Sequence, residues 1–345
     1  FALTRPPTLP IEQRTRGGLR VLYRLWGNRQ TMRYEKKPIS LDEQVQRLRY
    51  KGLHISDEEK AKQCLHNISY YRLRAYTYPF QDNEDMGPHM FLRSDISLDD
   101  IIDLYSFDRS LRSLVFSALE RIEVALRSRI VLSYSMGQES GFWFLNEDLY
   151  FRPESYQSLI EDNTDGTPGT LGREVDRCKE DFVEHYYHKY GDPSFPPAWM
   201  TLETISFGTL SKLFSALDKN NMESKEVTRG LGLHSVDILR NWMHALAILR
   251  NTCAHHGRLW NRRFTIGLTF PYNTDFPFFG AYADRIRDNK LFAYLSATMY
   301  LLRIVSPENS FLHSLEKLLA EKPTLVSLGE MGFPKGWKNI PVWRE

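Results

Sequence analysis

The stretch of this sequence best equipped for chemistry is Arg250-Asn251-Thr252-Cys253-Ala254-His255-His256-Gly257, which continues as Arg258-Leu259-Trp260-Asn261-Arg262-Arg263. A guanidinium, an amide and two imidazoles thus fall within two helical turns. Histidine exchanges a proton near neutral pH, so it can take the 2′-hydroxyl proton of a ribose or protonate a departing 5′-oxygen, while arginine neutralises charge developing on the phosphate between them. Together these groups suit RNA phosphodiester cleavage without a metal, giving a 2′,3′-cyclic phosphate or its hydrolysed form. The guanidiniums of Arg258, Arg262 and Arg263 suit phosphates, Asn261 adds an amide, and the Trp260 indole can stack on a base. A lone R-x4-H is a weak pattern, and the bland alternative is a capped helix whose histidines bond neighbouring carbonyls.

The element that must present these groups is a helix. Leu239, Trp242, Leu246, Leu249 and Cys253 recur at three- and four-residue steps, Ser235 stands at its start, and Gly257 supplies its stop. At 3.6 residues per turn, Asn251 and His255 lie about 40° apart, whereas Arg250 and His255 differ by about 140°. Arg250 and His255 therefore meet only if the last turn unwinds, or if both reach a shared cleft or a symmetric dimer interface.

A second helix must pack beside it. Ser97-Leu98-Asp99-Asp100 opens the longest periodic run, extending to about Tyr134, with Leu104, Phe107, Leu111, Leu114, Leu119, Ile122, Leu126 and Ile130 forming its apolar stripe. Glu120, Glu123 and Arg127 flank that stripe, and the one-turn spacing of Glu123 and Arg127 predicts an ion pair. That pair either ties neighbouring helices together or shapes a polar active centre. Upstream, Ser40–Glu43 and Ser56–Glu59 read as capping boxes of a short helical hairpin. The aromatic run 69–80 reads as a core helix ending at Pro79 rather than as an RNA-stacking surface. Residues 161–172 form a loop; His185 and His188 share a helix face but lack a third metal ligand.

Composition removes several classes. With 42% hydrophobic and 26% charged residues the chain can bury a core and is not wholesale disordered. No run approaches the roughly eighteen apolar residues of a membrane span. Cys64, Cys178 and Cys253 are too few and too scattered for a disulfide framework or zinc module, which points to a cytoplasmic setting. The net charge of +2 is uneven: residues 1–37 carry nine Arg or Lys against Glu12 and Glu35. Residues 1–31 read as an upstream stretch or an RNA-attracting arm, 32–305 as the folded domain, and 306–345 as a C-terminal extension. No strand series, P-loop, Rossmann or nucleophile-elbow signature is present.

Five ordered segments carry a family resemblance: NISYYRLRAY at 67–76, DLYSFDRSLR at 103–112, ERIEVALR at 120–127, PPAWMTLETISFGTLSKLF at 196–214 and LRNTCAHHGRLWNRRF at 249–264. From about Lys37 to Arg263 the chain resembles the Abi family of bacterial abortive-infection proteins, of the AbiD/AbiF kind, within the HEPN superfamily. The resemblance implies an all-α HEPN-like helical bundle with additional N- and C-terminal helices. It also implies a cofactor-free, metal-independent endoribonuclease of phage defence, acting as a toxin or abortive-infection effector. Carried over by position, the motif's arginine is Arg250, its polar neighbour Asn251 and its histidine His255, with His256 also inside the allowed spacing and the choice open. Glu120, Glu123 and Arg127 match the motif that buttresses the site. HEPN sites commonly combine two motifs across a dimer, so a single motif implies a homodimer. A cognate inhibitor is implied as well, either a protein antitoxin or a small structured RNA. The competing reading is a non-catalytic RNA-binding or scaffold protein whose helices serve dimerisation and whose Arg250 and His255 merely hold a helix end.

Overall fold

A computed structural model describes residues 35–83, 87–162 and 167–344. The basic head over 1–31 lies outside these residues, as do 163–166 of the 161–172 loop. The chain divides into two units, Phe1–Ser40 and Leu41–Glu345; the described part of the first, residues 35–40, contains no helix. The fold is all-α. Among the described residues the only β-type pairings are isolated bridges.

The larger unit begins with α1 (Leu41–Tyr50), α2 (Glu58–Ile68) and α3 (Tyr70–Thr77), followed by α4 (Leu98–Gly137). α2 is capped by Asp57, whose carboxylate accepts the Lys60 N–H, one residue later than the Ser56 expectation. The helix α3 ends in a single 3₁₀ turn over Tyr78–Phe80, buries Leu73 and Tyr76, and leaves Tyr71 exposed. The aromatic run is therefore core on one side only.

α4 is the axis of the unit. Its 40 residues make a rod of about 60 Å, opened by a complete capping box in which Ser97 and Asp100 bond each other's backbone N–H. The 3-4 stripe is buried as the periodicity predicts, with only Leu114 partly open. The connection to the second half runs through the short helices α5 (Pro153–Leu159), α6 (Thr170–Arg177), α7 (Asp181–Lys189), α8 (Ala198–Thr204), α9 (Phe207–Ala216) and α10 (Met222–Arg229). α11 (Val236–Ala254) then packs against α4, α9 and α10. Ser235 occupies its N-cap position but its hydroxyl makes no capping bond.

α12 (Leu291–Val305) packs against both α4 and α11 and is buried around its whole circumference from Leu291 to Leu302. α13 (Phe311–Ala320) covers α4. Beyond residue 305, Trp337 and Trp343 are buried and pack on Phe292 of α12. Ring surface that closes the α12 core is thus supplied from beyond residue 305.

Candidate active site

α4 and the end of α11 meet over a cleft of about 600 Å³. Arg72 of α3, Arg109 and Arg112 of α4, and His256 after α11 line it together with Tyr105 and Phe116, and among the described residues no carboxylate is in the lining. Its wall chemistry is cationic and aromatic, the combination that holds phosphates and unstacked bases. Burial pushes the Cys253 thiol of this wall up to about 12, so it stays protonated and takes no nucleophilic part.

The turn that carries the imidazoles has a defined geometry. His255 is the C-cap that follows α11, and His256 comes next in the left-handed region at φ 56°. The N–H of His256 donates to Cys253 O at 3.0 Å and that of Gly257 to Thr252 O at 2.8 Å, the paired bonds of a Schellman stop. The expected stop was Gly257; the left-handed residue is His256. An ordinary side chain in that region costs about 1–2 kcal/mol, while glycine's extra freedom in the unfolded chain takes back about 0.5–1 kcal/mol. His256→Gly is therefore expected to raise unfolding stability in urea by roughly 0.5–1 kcal/mol, although it deletes an imidazole from the cleft.

The other motif residues lie one turn back along the same seam. The Arg250 guanidinium sits 5.8 Å from the centroid of Phe116, the ring that also lines the cleft, and its Nε is 3.3 Å from Glu123 Oε2. Arg250 Nη1 donates to Asn251 Oδ1 at 3.3 Å, and Asn251 and His255 are both exposed. Glu123 is shared: its other oxygen pairs with Arg127 Nη2 at 3.0 Å, the expected one-turn ion pair. Arg127 also donates to the Ile205 carbonyl and contacts Glu203 at 3.4 Å, so it ties α4 to the segment after α8. Glu120 is exposed and makes none of these contacts, although helix geometry puts it on nearly the same face of α4 as Arg127.

The stretch after the turn departs from the sequence-based expectation. Trp260 is fully buried and stacks on Phe80 at 6.3 Å, so its indole offers no face to a base. Arg258 donates to the Ala75 carbonyl, and burial pulls its pKa below the ordinary arginine value, which makes it a clamp between α3 and the turn. The Asn261 side-chain oxygen is buried without a hydrogen-bond partner. Arg262 lies over the Phe264 ring at 5.8 Å, and Arg263 is exposed. Of the five residues assigned to RNA, only Arg263 presents its side chain fully to solvent.

The cause of that inward turn was missed from sequence. Asp108 of α4 is fully buried and accepts the backbone N–H groups of Leu259 at 3.1 Å and Trp260 at 2.7 Å. It also accepts the Tyr76 hydroxyl at 2.7 Å and pairs with Arg112. A polar i, i+4 pair standing inside the Leu104–Phe107–Leu111 stripe was the available signal.

A family model described as Abi-like protein matches residues 63–261, more than half of the chain and every segment that builds the cleft. No curated protein and no solved structure matches it.

Proposed function

The chain belongs to the Abi-like protein family, and on that basis we propose that it is an abortive-infection effector of the HEPN kind that cleaves RNA without a metal ion. The observation that carries this reading is the cleft at the end of α11, where Arg72, Arg109 and Arg112 stand with His256, no carboxylate is among the described lining residues, and the lining ring of Phe116 contacts Arg250. Arg72 and Arg109 of the cleft hold the RNA phosphates on either side of the scissile bond, while Arg112 is buried and paired with Asp108. Arg250, fixed by Glu123, neutralises the charge that develops on the attacked phosphate. Cleavage by an internal 2′-hydroxyl needs one group to accept that proton and one to protonate the 5′-oxygen. His255, on the exposed face it shares with Asn251, and His256, in the cleft, supply the two imidazoles. A homodimer would bring a second Arg250–His255 pair to the same RNA. Activity of this type requires silencing in the cytoplasm, by a protein antitoxin or a small structured RNA. Among the described residues no helix is long and apolar enough to cross a membrane.

Incubating the purified protein with structured RNA in EDTA is expected to give products ending in 2′,3′-cyclic phosphate at the rate seen without chelator. Loss of cleavage in EDTA, restored by a divalent ion, would remove the metal-free mechanism. A second reading has its own support: Arg72 and Arg258 each donate to a backbone carbonyl at the α3–α11 junction, as helix-end clamps do. On that reading the protein binds RNA and leaves it intact.

A further inference from the structure

We infer that Asp108 is a positioning residue for the two imidazoles at the end of α11, an inference that rests on the RNA-cleavage reading above. His256 and the four residues after it are tied almost continuously to α3 and α4. Arg72 Nη1 donates to the His256 carbonyl at 2.9 Å, and Arg112 Nη1 approaches the Gly257 carbonyl at 3.4 Å. Arg258 holds Ala75, and Asp108 accepts the N–H groups of Leu259 and Trp260.

Asp108 is the hub of these ties. Its carboxylate binds the turn directly, and through its ion pair it orients Arg112, whose guanidinium then reaches both the turn and the cleft wall. Tyr76 completes the arrangement by donating to Asp108 at 2.7 Å and accepting from Arg112 Nη1 at 2.9 Å. Neither Asp108 nor Tyr76 is itself a proton carrier toward a substrate, because Asp108 is fully buried and Tyr76 nearly so.

The direction of the constraint is what links it to the site. A left-handed, non-glycine residue persists only where its surroundings over-determine it, and here the over-determination falls on His256, whose imidazole lines the cleft. Releasing the Leu259 and Trp260 N–H groups frees the backbone immediately after it. The imidazoles would then sample orientations away from the seam while the helices that bind RNA phosphates stay in place.

The experiment compares wild type with Asp108→Asn, which keeps side-chain shape but turns two acceptor sites into an acceptor and a donor. Tyr76→Phe is the milder companion, since it deletes the two bonds of one hydroxyl and leaves the Asp108 carboxylate with Arg112 and the turn. Two readouts are taken: single-turnover cleavage alongside RNA affinity, and the imidazole C–H resonances of histidine-labelled protein, assigned with His255→Ala and His256→Gly. The expected result is a cleavage rate lower by about 100-fold in Asp108→Asn and about 10-fold in Tyr76→Phe, with RNA Kd unchanged within about threefold. The His256 resonance should move in both variants while that of His313, on α13, stays in place. A His256 resonance that moves no more than that of His313 would overturn the inference, whatever the rates do. If wild type binds RNA but never cleaves it, the cleavage reading fails, and the resonances still decide whether Asp108 positions the turn. Should Asp108→Asn not fold, Tyr76→Phe decides the matter by the same comparison.

Discussion

Arg250→Ala is expected to slow RNA cleavage by about 100- to 1,000-fold, the range observed when one preorganised donor to a developing oxyanion is removed. RNA affinity should change little, because on the proposed reading phosphates are held by Arg72 and Arg109, which line the cleft, and Arg250 is not among its lining residues. Stability should change little as well. Arg250 is 30% exposed, and although its loss leaves Glu123 with one partner fewer, Arg127 still pairs with that carboxylate. Lysine at this position is expected to rescue poorly, since a point charge does not reproduce the planar fork that reaches Glu123 and Asn251 while facing the phosphate. Single-turnover rates on one defined RNA, with Kd measured separately, check all three statements.

The second large effect is structural. Trp343→Ala is expected to lower unfolding stability by about 3–5 kcal/mol, the usual range for emptying a buried tryptophan site. Trp343 is only 3% exposed, its ring stacks on Phe292 at 5.7 Å and meets Trp337 edge-on at 5.3 Å. Its indole N–H also donates to the Ser296 hydroxyl at 2.9 Å inside α12. Trp343→Phe keeps most of the ring contact and loses that bond, so a smaller cost of about 1 kcal/mol is expected. Urea unfolding of the three proteins gives the comparison. Equal stability of Trp343→Ala and wild type would contradict a structural role for this C-terminal packing.

The parts of this molecule that the sequence made legible are those with a one-sided pattern. α4 and α11 declare themselves because each has a wet face and a dry face, so their apolar residues recur at three and four. α12 has no wet face over Leu291–Leu302, and a helix apolar all round carries no periodic signal. Ser97 and Asp100 were readable as a cap because the partners are three residues apart. Leu259 and Trp260 were not readable as buried, because the carboxylate that draws them inward is 151 and 152 residues away. A tryptophan amid arginines looked like a base platform, and the long-range acceptor turned it into core. The same reason explains why Arg258 became a clamp. Asp108 and Arg112 were in view within a family-like segment, and their place inside an apolar stripe marked them as buried polar groups needing partners.

Glu123 shows the intermediate case. Its ion pair with Arg127 followed from one-turn spacing, whereas its contact with Arg250 arises only when α11 is laid beside α4. The left-handed His256 was not legible either: helix periodicity marks roughly where α11 ends, whereas the residue that absorbs the turn is shown only by the local bonds His256 N–H to Cys253 O and Gly257 N–H to Thr252 O.

The most direct test of the central proposal is to induce wild type and Arg250→Ala at matched levels in bacteria, then follow growth and the chemical ends of total RNA. Growth arrest with accumulating 2′,3′-cyclic phosphate ends for wild type alone is the expected result. Arrest that is equal for the two proteins, or arrest by wild type with intact RNA, would contradict it and leave an RNA-binding protein in place of a nuclease.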